Sequence, residues 1–569
     1  MEQVPPSTSR RGFLALGAAG SAACASLAAQ TSQRIESGEP GFIDRKRGTS
    51  LYKRVPTGRR PHIFLISADM VSPDHYLPGR AVGQNMDLPA LRGLFADSVF
   101  FSNAFCTSPL CAPARAAMLT GRHTYLLANN ERAHDGFETS LRPSDRIFPE
   151  YLKATGYVTK HCGKGHLGVQ KFFDAFDENA DVWDRWDPPI RSDENYLEYL
   201  RRLRVRPQKY ARELFGLQQD RTSRGNSLGG WIEQDDGKPF PLEAQYSQFL
   251  AERAIAKLDS ALQTASSTTP IYLQLDFFDP HQPFSIPDGF ARRESELRKA
   301  LRLPESYGAI RERNWAASAS EPKIYDLYRK YWGLYDQKTV EDYRVANALQ
   351  LEIVDRAVGR FLNALKARHL YDDALIVFTS DHGEMNGRQA MIDKGVYLYP
   401  EVLRVPLAVK MPKSAGVKPA KVAEPVSHLD IAPTVLSIAG VHAEERFDGR
   451  PLQPLLNGGS DSEREWLFEC GWHVSANFAC GMQRRLPSGE HYLYSYNISS
   501  PVDELYDLRQ EDPVNLSSSP GHQSIRKEMI ARQAIFLEKD PRWLSWWSSY
   551  RIDHYHTIGR PQGDMQLKT

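Results

Sequence analysis

Cysteine is scarce, with six in 569 residues, and no two stand in a CxxC pair. That spacing excludes a zinc ribbon or a dithiol redox motif. No charge of one sign dominates: 71 Lys and Arg face 70 Asp and Glu. A general affinity for nucleic acid or an anionic membrane therefore has no support in composition. The mildly apolar stretch from Ala15 to Ala29, mostly Ala, Gly, Ser and Leu, is too short and too weakly apolar for a stable membrane span. No internal repeat or low-complexity tract interrupts the chain. At 41% hydrophobic and 25% charged residues, it has the makeup of a globular protein with ample core.

What is present begins at the N-terminus. Ser9-Arg10-Arg11-Gly12-Phe13-Leu14 precedes the apolar stretch, and a twin arginine there reads as a Tat export signal. Residues 1–30 are expected to be this signal and 31–60 a polar linker, so the Tat translocase is an expected partner and the location periplasmic or extracellular. Tat substrates leave the cytoplasm folded, so chemistry on a side chain can be complete before export. Loss of Cys24 with the signal leaves five cysteines, an odd number. Cys470 and Cys480 are candidates for a disulfide in an oxidising compartment.

Three short apolar runs read as buried strands: His62 to Ala68, Ile271 to Phe278 and Ala374 to Ser380. Between the last two, Val345, Leu349, Ile353, Ala357, Phe361 and Leu365 recur at helical spacing over 341–366. Strands alternating with such helices imply an α/β fold, a large mostly parallel central sheet flanked by helices. Each strand runs into polar residues at its C-terminal end: Asp69; Asp279 and His281; Asp381 and His382. Sites in open α/β sheets form at that edge. The catalytic domain is expected over 61–455. Residues 183–245, charged and Trp-rich, read as an insertion over the sheet edge, and 456–569 as a smaller C-terminal α+β domain ending in a Trp-rich tail.

The central motif is Ser108-Pro109-Leu110-Cys111-Ala112-Pro113-Ala114-Arg115, continuing to Leu119-Thr120-Gly121-Arg122. Pro113 suits a first helical turn, which puts Cys111 at a positive helix end able to stabilise an anion. Arg115, one turn on, reaches toward the same anion. A buried structural cysteine is the plainer reading of Cys111, and composition alone does not decide.

C-x-P-x-R followed by L-T-G-R resembles the activation motif of type I sulfatases of the alkaline phosphatase superfamily. The resemblance continues in family order: Pro61 to Asp69, Gly163-Lys164-Gly165-His166-Leu167-Gly168, Pro280-His281-Gln282-Pro283-Phe284, Ser380-Asp381-His382-Gly383-Glu384, and Lys394-Gly395 with Tyr399, Glu401 and Arg404-Val405-Pro406. It implies that Cys111 is oxidised to formylglycine by a maturation enzyme that reads Pro113 and Arg115. It also implies a divalent metal, Ca2+ with Mg2+ or Mn2+ as alternatives, held by Asp69, residue 111, Asp381 and His382. Catalytic roles fall to Cys111, Arg115, Lys164, His166, His281 and Lys394. The expected reaction is hydrolysis of a sulfate ester on a small molecule or carbohydrate.

Two positions depart from the pattern. Met70 follows Asp69 where the family often has a carboxylate or amide, and Gln389 stands where many relatives have histidine. A thioether is a poor partner for a hard cation. The alternatives are a phosphonate or phosphate ester hydrolase of the same superfamily, and a decayed relative that only binds glycans.

Overall fold

The computed structural model describes residues 60–539 except 124–140, 142–144, 169, 267, 444–445, 462–463, 473–476 and 498–501. The export signal, Cys24, nearly all of the linker and the Trp543–Trp547 tail lie outside the described residues.

The central sheet runs in the order Ala420–Val422, Val99–Phe105, Arg404–Lys410, Leu375–Ser380, Ile63–Ala68, Ile271–Phe277, Val158–Lys164 and Val182–Trp183, with Val426–Ser427 also paired to Val99–Phe105. Ile63–Ala68 is buried at every residue and has a parallel neighbour on each side. A strand covered on both faces needs a continuous apolar run, which is what the sequence supplies. Only Arg404–Lys410 runs antiparallel to its neighbours among the described strands of this sheet. The sheet is thus mixed, and parallel for the greater part.

Register sets the position of the site. Ala68 pairs with both Phe277 and Ser380, so three strands end level, and Asp69, Asp279 and Asp381 leave from one edge. Val158–Lys164 joins them, with Gly163 paired to Asp276. At Gly163 (φ +108) a Cβ would fall 1.9 Å from the Asp276 carbonyl oxygen, so only glycine permits this approach.

Two groups of helices flank the sheet. Gln337–Ala367 carries the expected apolar stripe, fully buried from Val345 to Leu365 at those spacings, and packs with Tyr246–Thr264. Its Phe361 meets Phe64 edge-on at 5.8 Å. The helix Cys111–Thr120 packs against Ile431–Ile438 and Phe148–Ala154.

Within 183–245 the chain forms the helix Glu194–Leu203, capped by Asp193, whose carboxylate accepts from the amides of Asn195 and Tyr196. A hairpin of Gln208–Leu217 and Arg224–Gln234 follows. The hairpin is joined to the body by parallel pairing of its second strand with Phe284–Pro287. Gly229 (φ +75) lies opposite Phe284, where a Cβ would sit 2.0 Å from the Phe284 amide nitrogen.

A smaller C-terminal domain holds a four-stranded antiparallel sheet, Leu467–Trp472, Asn477–Arg485, His491–Asn497 and Asp503–Asp507. Met529, Ile530 and Leu537 of the helix Gln523–Lys539 pack on Leu467, Met482, Tyr494 and Leu505. The anticipated Cys470–Cys480 disulfide is not formed. Cys470 pairs with Ala479 and Cys480 with Glu469, so adjacent-position alternation sends the two thiols to opposite faces. Cys470 belongs to the main core and Cys480 to the C-terminal one.

Candidate active site

Leu110 is extended and the helix begins at Cys111, with Pro113 in its first turn and Gly121 (φ 66) closing it. All ten residues of the helix are buried. Its N-terminus therefore presents residue 111 to the sheet edge with unpaired amides and a partial positive charge. Cys111 Sγ lies 3.2 Å from His382 Nε2 and 3.8 Å from Asp69 Oδ1.

Asp69, Cys111, Asp381 and His382 place one ligand atom each within 4.8 Å of one another, all buried. Two carboxylates and an imidazole offer hard oxygen and nitrogen donors that suit a divalent cation. Cationic side chains brace the carboxylates. Arg115 donates from Nε to Asp381 (3.0 Å) and from Nη1 to the Lys164 carbonyl (2.8 Å). Its Nη2, buried and 3.7 Å from Asp69, makes no hydrogen bond among the described residues and remains available to an anion. Lys164 Nζ donates to Asp69.

Burial would raise the pKa of Asp69, but Lys164, then His281, Arg115 and His382, hold it well below the usual carboxylate range. For His382 burial favours the neutral ring, yet Asp381 and Cys111 outweigh it and push the pKa up to about 9. Its Nδ1 hydrogen-bonds to the Gly383 carbonyl at 3.0 Å, which orients Nε2 toward residue 111. A bound dication would reverse that balance and favour a neutral imidazole.

His281 and Lys394 form an adjoining pair. Lys394 Nζ is 2.6 Å from His281 Nε2 and 3.1 Å from Asp393 Oδ1. His281 is held neutral, first by burial and then by Lys394. Lys394 keeps its proton against burial because Asp393, Cys111 and Asp69 surround it with negative charge. The Phe278 ring links this pair to the cluster: it stacks on His281 at 5.1 Å and lies 5.3 Å from Lys164 Nζ. His166 is fully buried, with a left-handed backbone (φ 54) just past Val158–Lys164.

The two departures have structural counterparts. Met70 is buried and left-handed (φ 63), and its amide donates to Asp381 Oδ1 at 3.1 Å. Position 70 thus contributes backbone, not a side-chain ligand. Asp74 is no substitute ligand: Arg388 holds it through two bonds of 2.7 and 2.8 Å, and Arg344 and Asn386 add others. Gln389, also left-handed (φ 55), accepts from Arg329 through its carbonyl and donates its amide to Ser306 Oγ.

Sequence reasoning missed two carboxylates. Asp276 lies inside a fully buried strand, where Ser67, His161 (2.8 Å) and Gln274 (2.6 Å) bond to it and Arg115 Nη1 lies 3.9 Å away. A carboxylate inside a mostly apolar, fully buried strand was the available signal. Asp393, beside Lys394 in sequence, offered none without the loop geometry.

A family model described as Sulfatase matches residues 61–441. The chain belongs to the sulfatase family. This sulfatase is accordingly a sulfuric ester hydrolase, and a second family model, described as N-sulphoglucosamine sulphohydrolase, C-terminal, matches 387–537. The chain is 26% identical to the choline-sulfatase of Rhizobium meliloti over 473 residues, which are 81% of this chain and 83% of that one. Among solved structures it resembles the phosphonate monoester hydrolase of Silicibacter pomeroyi, with a TM-score of 0.62 and 19% identity, covering 85% of this chain and 97% of that one. It also resembles a protein solved with its substrate D-glucosamine-2-N,6-O-disulfate, with a TM-score of 0.58 and 18% identity over 85% of this chain and 99% of that one. At these identities the structural likenesses speak to fold. Sulfatases in general work with a metal ion and formylglycine.

Proposed function

We propose that this sulfatase hydrolyses sulfate esters of carbohydrates with a formylglycine at position 111 and a divalent cation, calcium by preference, held by Asp69, residue 111, Asp381 and His382. The carrying observation is the meeting of those four donors within 4.8 Å at a helix N-terminus. When present, the two groups would supply a hydroxyl of lowered pKa as nucleophile toward sulfur, charge relief on the sulfate, and an aldehyde oxidation level from which sulfate can be expelled.

The chain's own residues do the rest. Lys164 and Arg115 fix the carboxylates, and Arg115 Nη2 faces the anion. Lys394 binds a sulfate oxygen and holds the proton reservoir for His281. As negative charge grows on the leaving oxygen, His281 would give up its ring proton to the alcohol, and Lys394 Nζ, hydrogen-bonded to Nε2, would replace it so that the ring ends neutral. His166, buried just past Val158–Lys164, would serve as the base for the modified residue 111. Because the Met70 side chain offers no oxygen, the four donors would leave positions for water or a substrate oxygen on a bound cation.

Arg115 is only 1% exposed and Pro113 is buried with it. A formylglycine-generating enzyme that reads these residues must therefore act before the chain folds. A Tat signal at 1–30 fits this order, with modification and folding in the cytoplasm and then export to the periplasm or beyond. Among the described residues no helix is long and apolar enough to cross a membrane. We place the boundary of the C-terminal domain near residue 455.

Co-expression with a formylglycine-generating enzyme, peptide mass spectrometry across residue 111 and a screen of sulfated mono- and oligosaccharides for free sulfate test this reading. An aldehyde at 111 with sulfate release from a sugar is the expected result. A persistent thiol without turnover would leave a glycan-binding relative as the better reading.

A further inference from the structure

Beside His281 the segment that precedes and forms the hairpin encloses a cavity of about 380 Å³, lined among others by Arg185, Arg191, Lys209, Tyr210, Phe278 and Asp279. That size is within the range of small-molecule sites. Trp186, adjacent in sequence to the lining, is 47% exposed. Its ring centroid lies 6.2 Å from that of His281 and 6.2 Å from that of Phe278. The indole thus stands beside the proposed proton donor to the leaving oxygen, where the alcohol part of a substrate must lie. A large apolar ring left half in water adds little to the fold and offers a flat face to a ligand.

Charge in the cavity is uneven. Arg185 is neutralised by Asp187 through bonds of 2.7 and 2.8 Å, and Lys209 by Glu233 at 3.3 Å. Asp279 is buried and committed to Gln245 and Ser247. Arg191 is exposed and has no carboxylate partner among the described residues. One guanidinium therefore remains uncompensated in a cavity whose other charged side chains are already paired or hydrogen-bonded.

Resting on the sulfatase mechanism above, we infer that this cavity is the leaving-group subsite. It takes a sugar ring that carries a second anionic group, a sulfate or a carboxylate. Trp186 covers the C–H face of the ring and Arg191 binds the second anion. A pyranose presents both an apolar face and polar edges, and guanidinium pairs with either anion through two parallel bonds. A quaternary ammonium alcohol lacks the anion and meets like charge at Arg191.

The test measures sulfate release by the formylglycine form from four kinds of ester: mono- and disulfated hexoses and hexosamines of every regiochemistry, sulfated uronic acids, choline sulfate, and 2-hydroxyethyl sulfate, which has no ring. The best substrate should be a ring with two anionic groups. Trp186→Ala should lower kcat/KM for that ring about tenfold more than for the ringless ester, and Trp186→Phe should recover most of the loss. Arg191→Met should cut the advantage of two anionic groups over one by about tenfold or more, chiefly through KM, and flatten its salt dependence. A preference for choline sulfate or the ringless ester, or an equal loss on all esters in both variants, would overturn the inference. Failure to release sulfate from any ester, simple aryl sulfates included, would instead strike the proposed mechanism itself.

Discussion

Lys394 Nζ lies 2.6 Å from His281 Nε2, and this contact fixes where the proton rests before reaction. The ammonium donates and the imidazole accepts, so Nε2 carries no proton at rest, which is the starting point the proposed acid role of His281 requires. Burial and Lys394 both depress the His281 pKa, which keeps that arrangement stable at neutral pH.

Substitution separates the two partners. His281→Ala should lower kcat/KM for carbohydrate sulfates by about 10²–10⁴, the usual worth of a positioned acid. The loss on an activated aryl sulfate should be much smaller, because its phenolate leaves without a proton. Equal losses on both substrates would remove His281 from the acid role. Lys394→Met should raise the His281 pKa toward 6.5, since a neighbouring positive charge is gone. Histidine NMR across a pH titration reads that change directly.

Chelation should abolish turnover, with calcium restoring it best and magnesium or manganese less well. Asp69→Asn and Asp381→Asn should each remove metal binding at ordinary concentrations. Arg115→Gln leaves every ligand in place but frees Asp381, and should weaken metal affinity by about 10–100-fold. Titration calorimetry with the metal alone distinguishes this from a loss confined to the chemical step.

The buried histidines should cost stability as pH drops below neutrality. Burial holds His75 at about 4, His428 at about 3 and His491 at about 3, against 6.5 for an ordinary histidine. Between those values the unfolded chain binds protons that the folded chain refuses, so unfolding becomes easier as pH falls through that window. The depressed carboxylates of Asp69 and Asp276 add a further loss at lower pH. Burial of Asp355, at about 6, and of Glu384, at about 8, acts in the opposite sense, so the histidine contribution is isolated by comparison: the Tm of His491→Gln relative to the parent protein should rise steadily as pH falls from 6.5 to 4. A Tm difference between the two proteins that does not change with pH would show that His491 titrates normally in the fold.

Much of this was readable in the sequence because single residues carry it. The apolar run ending at Asp69, the C-x-P-x-R helix start and the stripe from Val345 to Leu365 each follow from local chemistry. The level ending of three strands did not, since register depends on partners far apart in the chain. The ion pair of Arg115 with Asp381 spans 266 residues, so one-dimensional spacing shows Arg115 near the anion and not its work on a ligand. Cys470 and Cys480 invited a disulfide by proximity in sequence, and alternation across the hairpin forbids it. Met70 read as a missing ligand, while its amide supports Asp381.

The most direct measurement compares kcat/KM for a sulfate and a phosphonate ester of the same phenol, using protein shown by mass spectrometry to carry the aldehyde at position 111. A site built from Asp69, Asp381, Lys394 and Arg115 around that aldehyde for sulfate transfer should favour the sulfate ester by orders of magnitude. A preference of that size for the phosphonate ester would contradict it.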